Sequence, residues 1–460
     1  MKKHKKIILI IIIILVCVSC FILLNKESIV TSVRKTFFKA TIVATGTTGT
    51  CNWTLDSDGL LLIEPANGVS GTMDNYVSSG SFYDYSDEII SIKFNGTVYL
   101  ENSAYGLFYD LHEVEEIDMT NLNAQSGSIT NMQKMFCGCN SLTEIDLSNF
   151  NTQNVNYMNS MFKDCNSLRE LDTSSLNTTS CTDMMSMFEG CELLEEIDVS
   201  NFETQYVRYM NNMFYGCKSL LELDVSNFNT RYVGWMDGMF SGCELLTELD
   251  VSDFNTQEVV FMMGMFQDCK SLTELDLSSF NTQNLLCMWD MFNGCESLTE
   301  LNLGSFNTQS VSDMNRLMQG CNSLKTLTLG PNFSFIHKTN ELDSYSTPWK
   351  KLGTTSPRYT SSELMNTYNG STMAGTYVRV NVVTISLKKD NLTWSSNNMR
   401  AALYQNGTEI YSYSQGEISS NDGTITWDDV APGTYDIYAS KDEAHSTTMV
   451  DTGQDIVVAE

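Results

Sequence analysis

The sequence predicts an α/β solenoid, a parallel sheet backed by short helices, followed by a C-terminal all-β sandwich domain. Three observations carry this expectation. Cysteines at 139, 165, 191, 217, 243, 269, 295 and 321 stand 26 residues apart. Between them one sentence recurs, reading CNSLTEIDLSNFNTQNVNYMNSMFKD from Cys139 and CELLTELDVSDFNTQEVVFMMGMFQD from Cys243. From Val378 onward the pattern changes to apolar–polar alternation broken by turn residues. A fixed period in this range is the mark of stacked repeat units.

The chain begins with Met1-Lys-Lys-His-Lys-Lys6, and no charge interrupts Ile7 to Leu24. Eighteen helical residues span about 27 Å, enough to cross a hydrocarbon core. Residues 1–25 therefore predict a membrane segment with its lysines in the cytoplasm and the bulk of the chain outside. An uncleaved signal-anchor, a cleaved signal peptide and a lipoprotein signal at Cys20 remain open as readings. Residues 26–49 read as a polar spacer. Residues 50–106 hold a hairpin signal at Asp58-Gly59 and an apolar run at Ile89–Phe94 ending in Asn95-Gly96; they predict a β cap over the open end of the solenoid.

Residues 107–337 are the repeats. In each unit Leu142, Ile145 and Leu147 follow an L-x-x-L-x-L pattern, with Ile145 and Leu147 alternating as in a short strand. Val155, Met158, Met161, Phe162 and Cys165 are spaced by three or four, which predicts a helix. A strand and a helix in fewer than 30 residues make a leucine-rich-repeat unit. Burying about nine apolar side chains per unit yields on the order of 15–25 kcal/mol gross, and ordering the chain costs a similar amount or more. One unit cannot fold alone, so the units must stack. Residues 338–377 predict a closing segment. Residues 378–460 predict short strands at Val378–Val382, Ala401–Tyr404, Thr424–Trp427 and Thr434–Ile437, hence a prealbumin- or Ig-like sandwich.

The D-[LV]-S-x-F-N-T…M-x-x-M-F-x-G-C sentence resembles the 26-residue surface-protein repeat of BspA-like leucine-rich-repeat proteins of bacteria. Cys51-Asn-Trp-Thr-Leu-Asp-Ser-Asp-Gly59 resembles the hairpin that precedes such repeats, and Tyr359 to Leu364 with Met373 to Tyr377 resembles their exit segment. The likeness covers about residues 45–378. It implies an exported, surface-attached solenoid, and some relatives are thought to bind host matrix proteins. Pro432-Gly-Thr-Tyr-Asp-Ile437 resembles prealbumin-like stalk repeats. Ala439 stands where those that form Lys–Asn isopeptide bonds carry an acid, so no crosslink is expected.

Composition narrows the function. The net charge is −29, and residues 1–39 hold eight basic residues against one acid, leaving 19 basic against 55 acidic residues in the remainder. Such a polyanion repels nucleic acid. The four histidines (His4, His112, His337, His445) are scattered, and no H-E-x-x-H, G-x-S-x-G or phosphate loop occurs. An enzyme is not expected, nor a cofactor.

Three sets of residues are candidates for a site. Cys139, Cys165, Cys191, Cys217, Cys243, Cys269, Cys295 and Cys321 form a thiol ladder, either cross-linked or buried as small apolar residues. Glu144, Glu170, Glu196, Glu222, Glu248 and Glu274, with Asp146, Asp172, Asp198, Asp224, Asp250 and Asp276, flank the inward Ile145-type residue and should line the concave sheet surface. Like charges ~5 Å apart repel by about 0.8 kcal/mol even in water. The two files should therefore gather cations, Ca²⁺ among them, or a basic partner, if they are more than a solvated face. Tyr209, Trp235 and Phe261 occupy the place before the inward Met, with Tyr206 and Tyr232 one helical turn earlier. They form either a recognition patch or a cover over neighbouring helices. The expected partner is a protein or glycan of a host or cell surface, met by adhesion; a surface spacer with no ligand is the alternative.

Overall fold

The structure is a computed structural model that describes residues 40–74, 81–125, 127–336, 342, 347–354, 357–386, 401–406, 408–411, 417–419, 424–428, 430–431, 433–440 and 449–458. The expected membrane segment at 1–25 lies outside the described residues. Among those that are described, no helix is long and apolar enough to cross a membrane.

The chain folds into a β-solenoid of about ten turns. Its first end is closed by strands β1 (Ile42–Thr48), β2 (Cys51–Asp56) and β3 (Leu60–Pro65), which pair antiparallel in sequence. Gly59 closes the β2–β3 hairpin at φ +82°, a conformation open to glycine. β1 begins at Ile42, so the last part of the expected spacer is a sheet strand. The alternation of Cys51, Trp53 and Leu55, all buried, sets the inner face. After β4 (Ser70–Thr72), β5 (Ser91–Phe94) continues the sheet in parallel from β3, and β6 (Thr97–Tyr99) adds in parallel to β4. β7 (Glu116–Asp118) and β8 (Leu122–Asn123) extend the two sheets by one more turn. The winding is therefore already established before the first 26-residue unit.

Two expectations about the repeat are corrected. The segment expected as helix is not helical. In the unit Val155–Cys165, the N–H groups of Met158, Ser160, Phe162 and Asp164 donate to the carbonyls of Asp183, Met185, Met187 and Glu189 in the next turn. Those of Met161, Lys163 and Cys165 donate three residues back, to Met158, Ser160 and Phe162. Ser160 and Asp164 sit at φ +57° and +60°. Two left-handed residues four apart forbid an α-helix, and every later unit repeats them, as in Asn212 with Gly216 and Gly238 with Gly242. Such a string of tight turns also returns to one side every three or four residues. Met158, Met161, Phe162 and Cys165 are accordingly all buried.

Nor is the expected sheet continuous. The Ile145-type segments pair as strands only near the ends, in β5 with β7 and in β9 (Glu300–Leu303) with β10 (Thr326–Leu329). In the middle turns they run extended, joined by single bonds such as Glu195 N–H to the Arg169 carbonyl.

The core is a pile of identical layers. Phe136, Phe162, Phe188, Phe214, Phe240, Phe266 and Phe292 stack with neighbouring centroids 5.5–5.9 Å apart and planes within 14° of parallel. Beside them runs a file of buried threonines. Thr204 Oγ1 donates to the Asn229 carbonyl at 3.2 Å and accepts the Asn229 N–H at 2.7 Å, and Thr230 does the same to Asn255. Each threonine thus closes a backbone pair of the following turn.

The far end is closed by β11 (Trp349–Lys351), β12 (Arg358–Tyr359), helices Ser361–Thr367 and Gly370–Met373, and β13 (Gly375–Arg379). β13 runs antiparallel to β10, so Val378 belongs to the end of the solenoid and not to the C-terminal domain. Thr360 and Glu363 form a capping box on the first helix. Beyond this, β14 (Val382–Ser386), β17 (Glu417–Ser419) and β18 (Thr424–Asp428) form one antiparallel sheet. β15 (Ala401–Gln405), β16 (Thr408–Tyr411), β19 (Gly433–Ser440) and β20 (Met449–Val458) form a second.

Candidate recognition face

A narrow parallel ladder runs down one side of the solenoid. Its rungs are single bridged residues, in order Ser103, Asn131, Tyr157, Asp183, Tyr209, Trp235, Phe261, Cys287 and Asp313. Ser103 is followed by buried Ala104 and every later rung by a buried Met, so the bridged residue itself faces outward. The aromatic residues singled out above therefore stand on a β-ladder and not on helices. Tyr209 and Trp235 stack at 4.8 Å with 29° between planes. Trp235 is 36% exposed, whereas Tyr209 and Phe261 are half-buried. Tyr206 and Tyr232 belong to the adjoining outward column and are exposed, and the Arg231 guanidinium lies 5.5 Å from the Tyr232 ring centre.

The structure adds residues that pattern reading passed over. Leu286 and Trp289 are exposed, and Val260 and Met263 half-buried, in the two turns after Trp235. Leu286 lies one residue before Cys287 on the ladder and Trp289 two residues after it, and both are exposed. The signal was available: the column of Asn156, Thr182 and Arg208 turns apolar at Val260 and Leu286, and the column of Asn159 turns from Asn211 and Asp237 to Met263 and Trp289. Gly234 lies between Arg208 and Val260 in one column, and a Cβ placed there would meet only the Glu258 carbonyl oxygen, at 3.8 Å. Asp183 borders the aromatic run and Asp237 lies within it; burial raises the pKa of both carboxyls. Asp237 Oδ1 accepts the Met263 N–H at 3.2 Å and Asp183 Oδ1 the Met185 N–H at 3.0 Å.

The acidic files lie elsewhere, and their two columns differ. Asp146, Asp172, Asp198, Asp224, Asp250 and Asp276 each accept the N–H of the serine two residues on, at 2.8–2.9 Å. These are Asx turns that end the extended segment. Hydrogen bonding from that serine holds Asp146, Asp172, Asp198, Asp224 and Asp250 below the usual carboxylate range. Glu144, Glu170, Glu196, Glu222, Glu248 and Glu274 enter no ion pair among the described residues. The basic residues instead pair across turns at the rim, Arg169 with Glu195 at 2.6 Å and Lys270 with Glu244 at 2.8 Å. Four turns, from Arg169–Asp172 to Thr247–Asp250, line an open trough of about 1230 Å³ floored by Leu171, Ile197, Leu223 and Leu249. Among the described residues no group of three or more His, Cys, Asp or Glu side chains is placed to hold a metal ion.

The thiol ladder is internal. The eight cysteines of the ladder are buried, and each Sγ–H donates to the carbonyl of the phenylalanine in the preceding turn, as from Cys217 to Phe188 at 3.2 Å. Burial pushes the Cys191 and Cys243 thiols up to about 12.

Residues 102–223 and 220–330 match the family model described as "Mycoplasma protein of unknown function, DUF285". A crystal structure of a leucine-rich repeat protein from Eubacterium ventriosum ATCC 27560 is similar at 16% identity, covering 65% of this chain and 99% of that one. The TM-score of that likeness is 0.27. No curated protein matches the chain.

Proposed function

We propose that this is an exported, membrane-tethered bacterial surface protein whose solenoid binds a protein or cell-surface partner, as an adhesin does. The observation that carries the reading is the run of rings on and beside the ladder, with Trp235, Trp289, Tyr206 and Tyr232 exposed and Tyr209 and Phe261 half-buried. Aromatic side chains displayed on a rigid scaffold are costly to leave wet, and they supply much of the energy at interfaces. The rest of the surface is acidic, which steers approach but adds little affinity. The chain acts by complementarity, with no cofactor and no chemistry, and its charge disfavours nucleic acid.

The test is saturable binding of the full chain to a panel of matrix proteins and surface glycans. A defined partner whose binding is lost when Tyr209, Trp235 and Phe261 become Ser, at unchanged melting temperature, is the expected result. No partner across the panel points instead to a surface spacer without a ligand. Retained binding with a large loss of stability assigns the rings to packing.

A further inference from the structure

We propose that the ladder face receives an acidic side chain of a protein partner at Arg208 and Arg231. The inference rests on the reading of the solenoid as a binding surface and narrows it to one partner chemistry.

Residues 107–337 hold four arginines in a chain of net charge −29. Arg169 and Arg316 pair with Glu195 and Asp290 in neighbouring turns, as Lys163, Lys218 and Lys270 pair with Glu189, Glu192 and Glu244. Arg208 and Arg231 are exposed, and among the described residues they enter no ion pair. Both belong to the ladder face, in consecutive turns. The Arg208 carbonyl accepts the Gly234 N–H at 3.0 Å, so Arg208 lies beside the residue that precedes Trp235. Arg231 comes three residues before Gly234, with its guanidinium 5.5 Å from the Tyr232 ring centre. The carboxylates of this face are engaged elsewhere or stand apart. Asp237 Oδ1 accepts the Met263 N–H and Asp183 Oδ1 the Met185 N–H, while the exposed Glu258 of the next turn forms no ion pair among the described residues.

The surroundings select the kind of partner. Tyr206, Tyr232 and Trp235 are exposed beside the two arginines, and residues 205–215 and 231–241 contain no lysine. Arginine with tyrosine and tryptophan, and without lysine, is the composition of a protein contact. A guanidinium meets a carboxylate through a planar fork of N–H groups. Rings packed around such a pair keep water out and strengthen it. At physiological salt a charge is felt over about 8 Å, so the acidic files do not cancel a pair formed here. A basic partner would be drawn to those files and not to this face. A second copy of the chain is repelled by its own net charge.

The test is calorimetric titration of the full chain with a blocked Leu-Glu-Tyr-Glu-Leu peptide and its Leu-Gln-Tyr-Gln-Leu analogue at physiological ionic strength. The glutamate peptide should bind roughly fivefold more tightly. Arg208→Gln and Arg231→Gln should each weaken that preference, and the double variant should abolish it at an unchanged melting temperature. Lys218→Gln removes the same charge away from the face and should keep the preference. Equal affinity for the two peptides overturns the proposal, as does the absence of any glutamate-peptide binding. A preference that survives the double variant, or is lost as fully in Lys218→Gln, overturns it in favour of net charge alone. Binding of 3′-sialyllactose that needs both arginines, with none of the glutamate peptide, overturns it in favour of an acidic glycan. Self-association of the chain that the double variant abolishes, with none of the peptide bound, overturns it in favour of a second copy. If any of these results coexists with saturable binding to a matrix protein, the binding-surface reading survives and only the acidic-partner chemistry is lost.

Discussion

At the scale of single residues, each column of the repeat does one physical job, and substitutions should read it out. Phe214 is fully buried between two parallel rings. Phe214→Ala should cost about 3–5 kcal/mol in urea unfolding, whereas Tyr206→Ser, at a 57% exposed position, should change stability by under about 0.5 kcal/mol. The thiols give a pH signature. Their folded pKa values lie above the ordinary value of 9.0, as the Cys191 and Cys243 thiols at about 12 illustrate. Above pH 9 the unfolded chain loses thiol protons that the folded chain keeps, so stability present below pH 9 drains away between 9 and 12. The melting temperature should fall steeply across pH 9–11, less so in a Cys217→Ala, Cys243→Ala variant; equal slopes would count against it. Period alone placed the cysteines, phenylalanines and acids in files. It did not separate the two acidic files, because strand alternation assigns a face and not a partner. The Asp-x-Ser spacing at Asp146 and Ser148, an Asx-turn signature, held that information.

At the scale of the element, the instructive error is the helix. Val155, Met158, Met161, Phe162 and Cys165 repeat at three and four whether the chain turns as a helix or as linked tight turns, so burial spacing cannot tell the two apart. What decides is backbone handedness. The residue before each cysteine is Gly or Asp in every turn from Gly138 to Gly320, and these sit at positive φ. Read as left-handed positions, they would have excluded the helix from sequence. Gly242→Ala should therefore destabilise by about 1–2 kcal/mol, the more so because its Cβ would meet Gly216 Cα at 3.3 Å. Asp268→Gly, at φ +56°, should be neutral or stabilising. Urea midpoints for the two variants check this, and a stabilising Gly242→Ala would speak for a helical turn. The threonine file is the other device of the element. Thr230→Val keeps the shape but leaves the Asn255 N–H and carbonyl without their hydroxyl partner, at a cost of about 1–3 kcal/mol.

At the scale of the molecule, a solenoid needs its ends covered, and both ends here are sheets that grow out of the winding itself. Some of this was legible. The turn at Gly59 and the change of pattern near residue 378 were visible, whereas β1 and the role of Val378 were not: β1 is a polar, Thr- and Gly-rich arm that pairs with the adjacent β2, and Val378 pairs far back along the chain with Thr326, which leaves no local periodicity. The excess of acid should make the molecule salt-dependent. Sodium chloride screens the glutamate file, so the melting temperature should rise between low and physiological ionic strength. The account as a whole stands on residues 26 apart lying side by side on the outward ladder, and Cys287 makes that testable with one substitution at a time. Bridged neighbours are about 4.8 Å apart, within disulfide range, and residues two turns apart are about twice that. On mild oxidation at alkaline pH, Asp313→Cys and Phe261→Cys should each form an intramolecular disulfide with Cys287, identified by peptide mapping, while Trp235→Cys should not. A disulfide from Trp235→Cys as readily as from Phe261→Cys, or none from either neighbour, would contradict the ladder and the recognition face built on it.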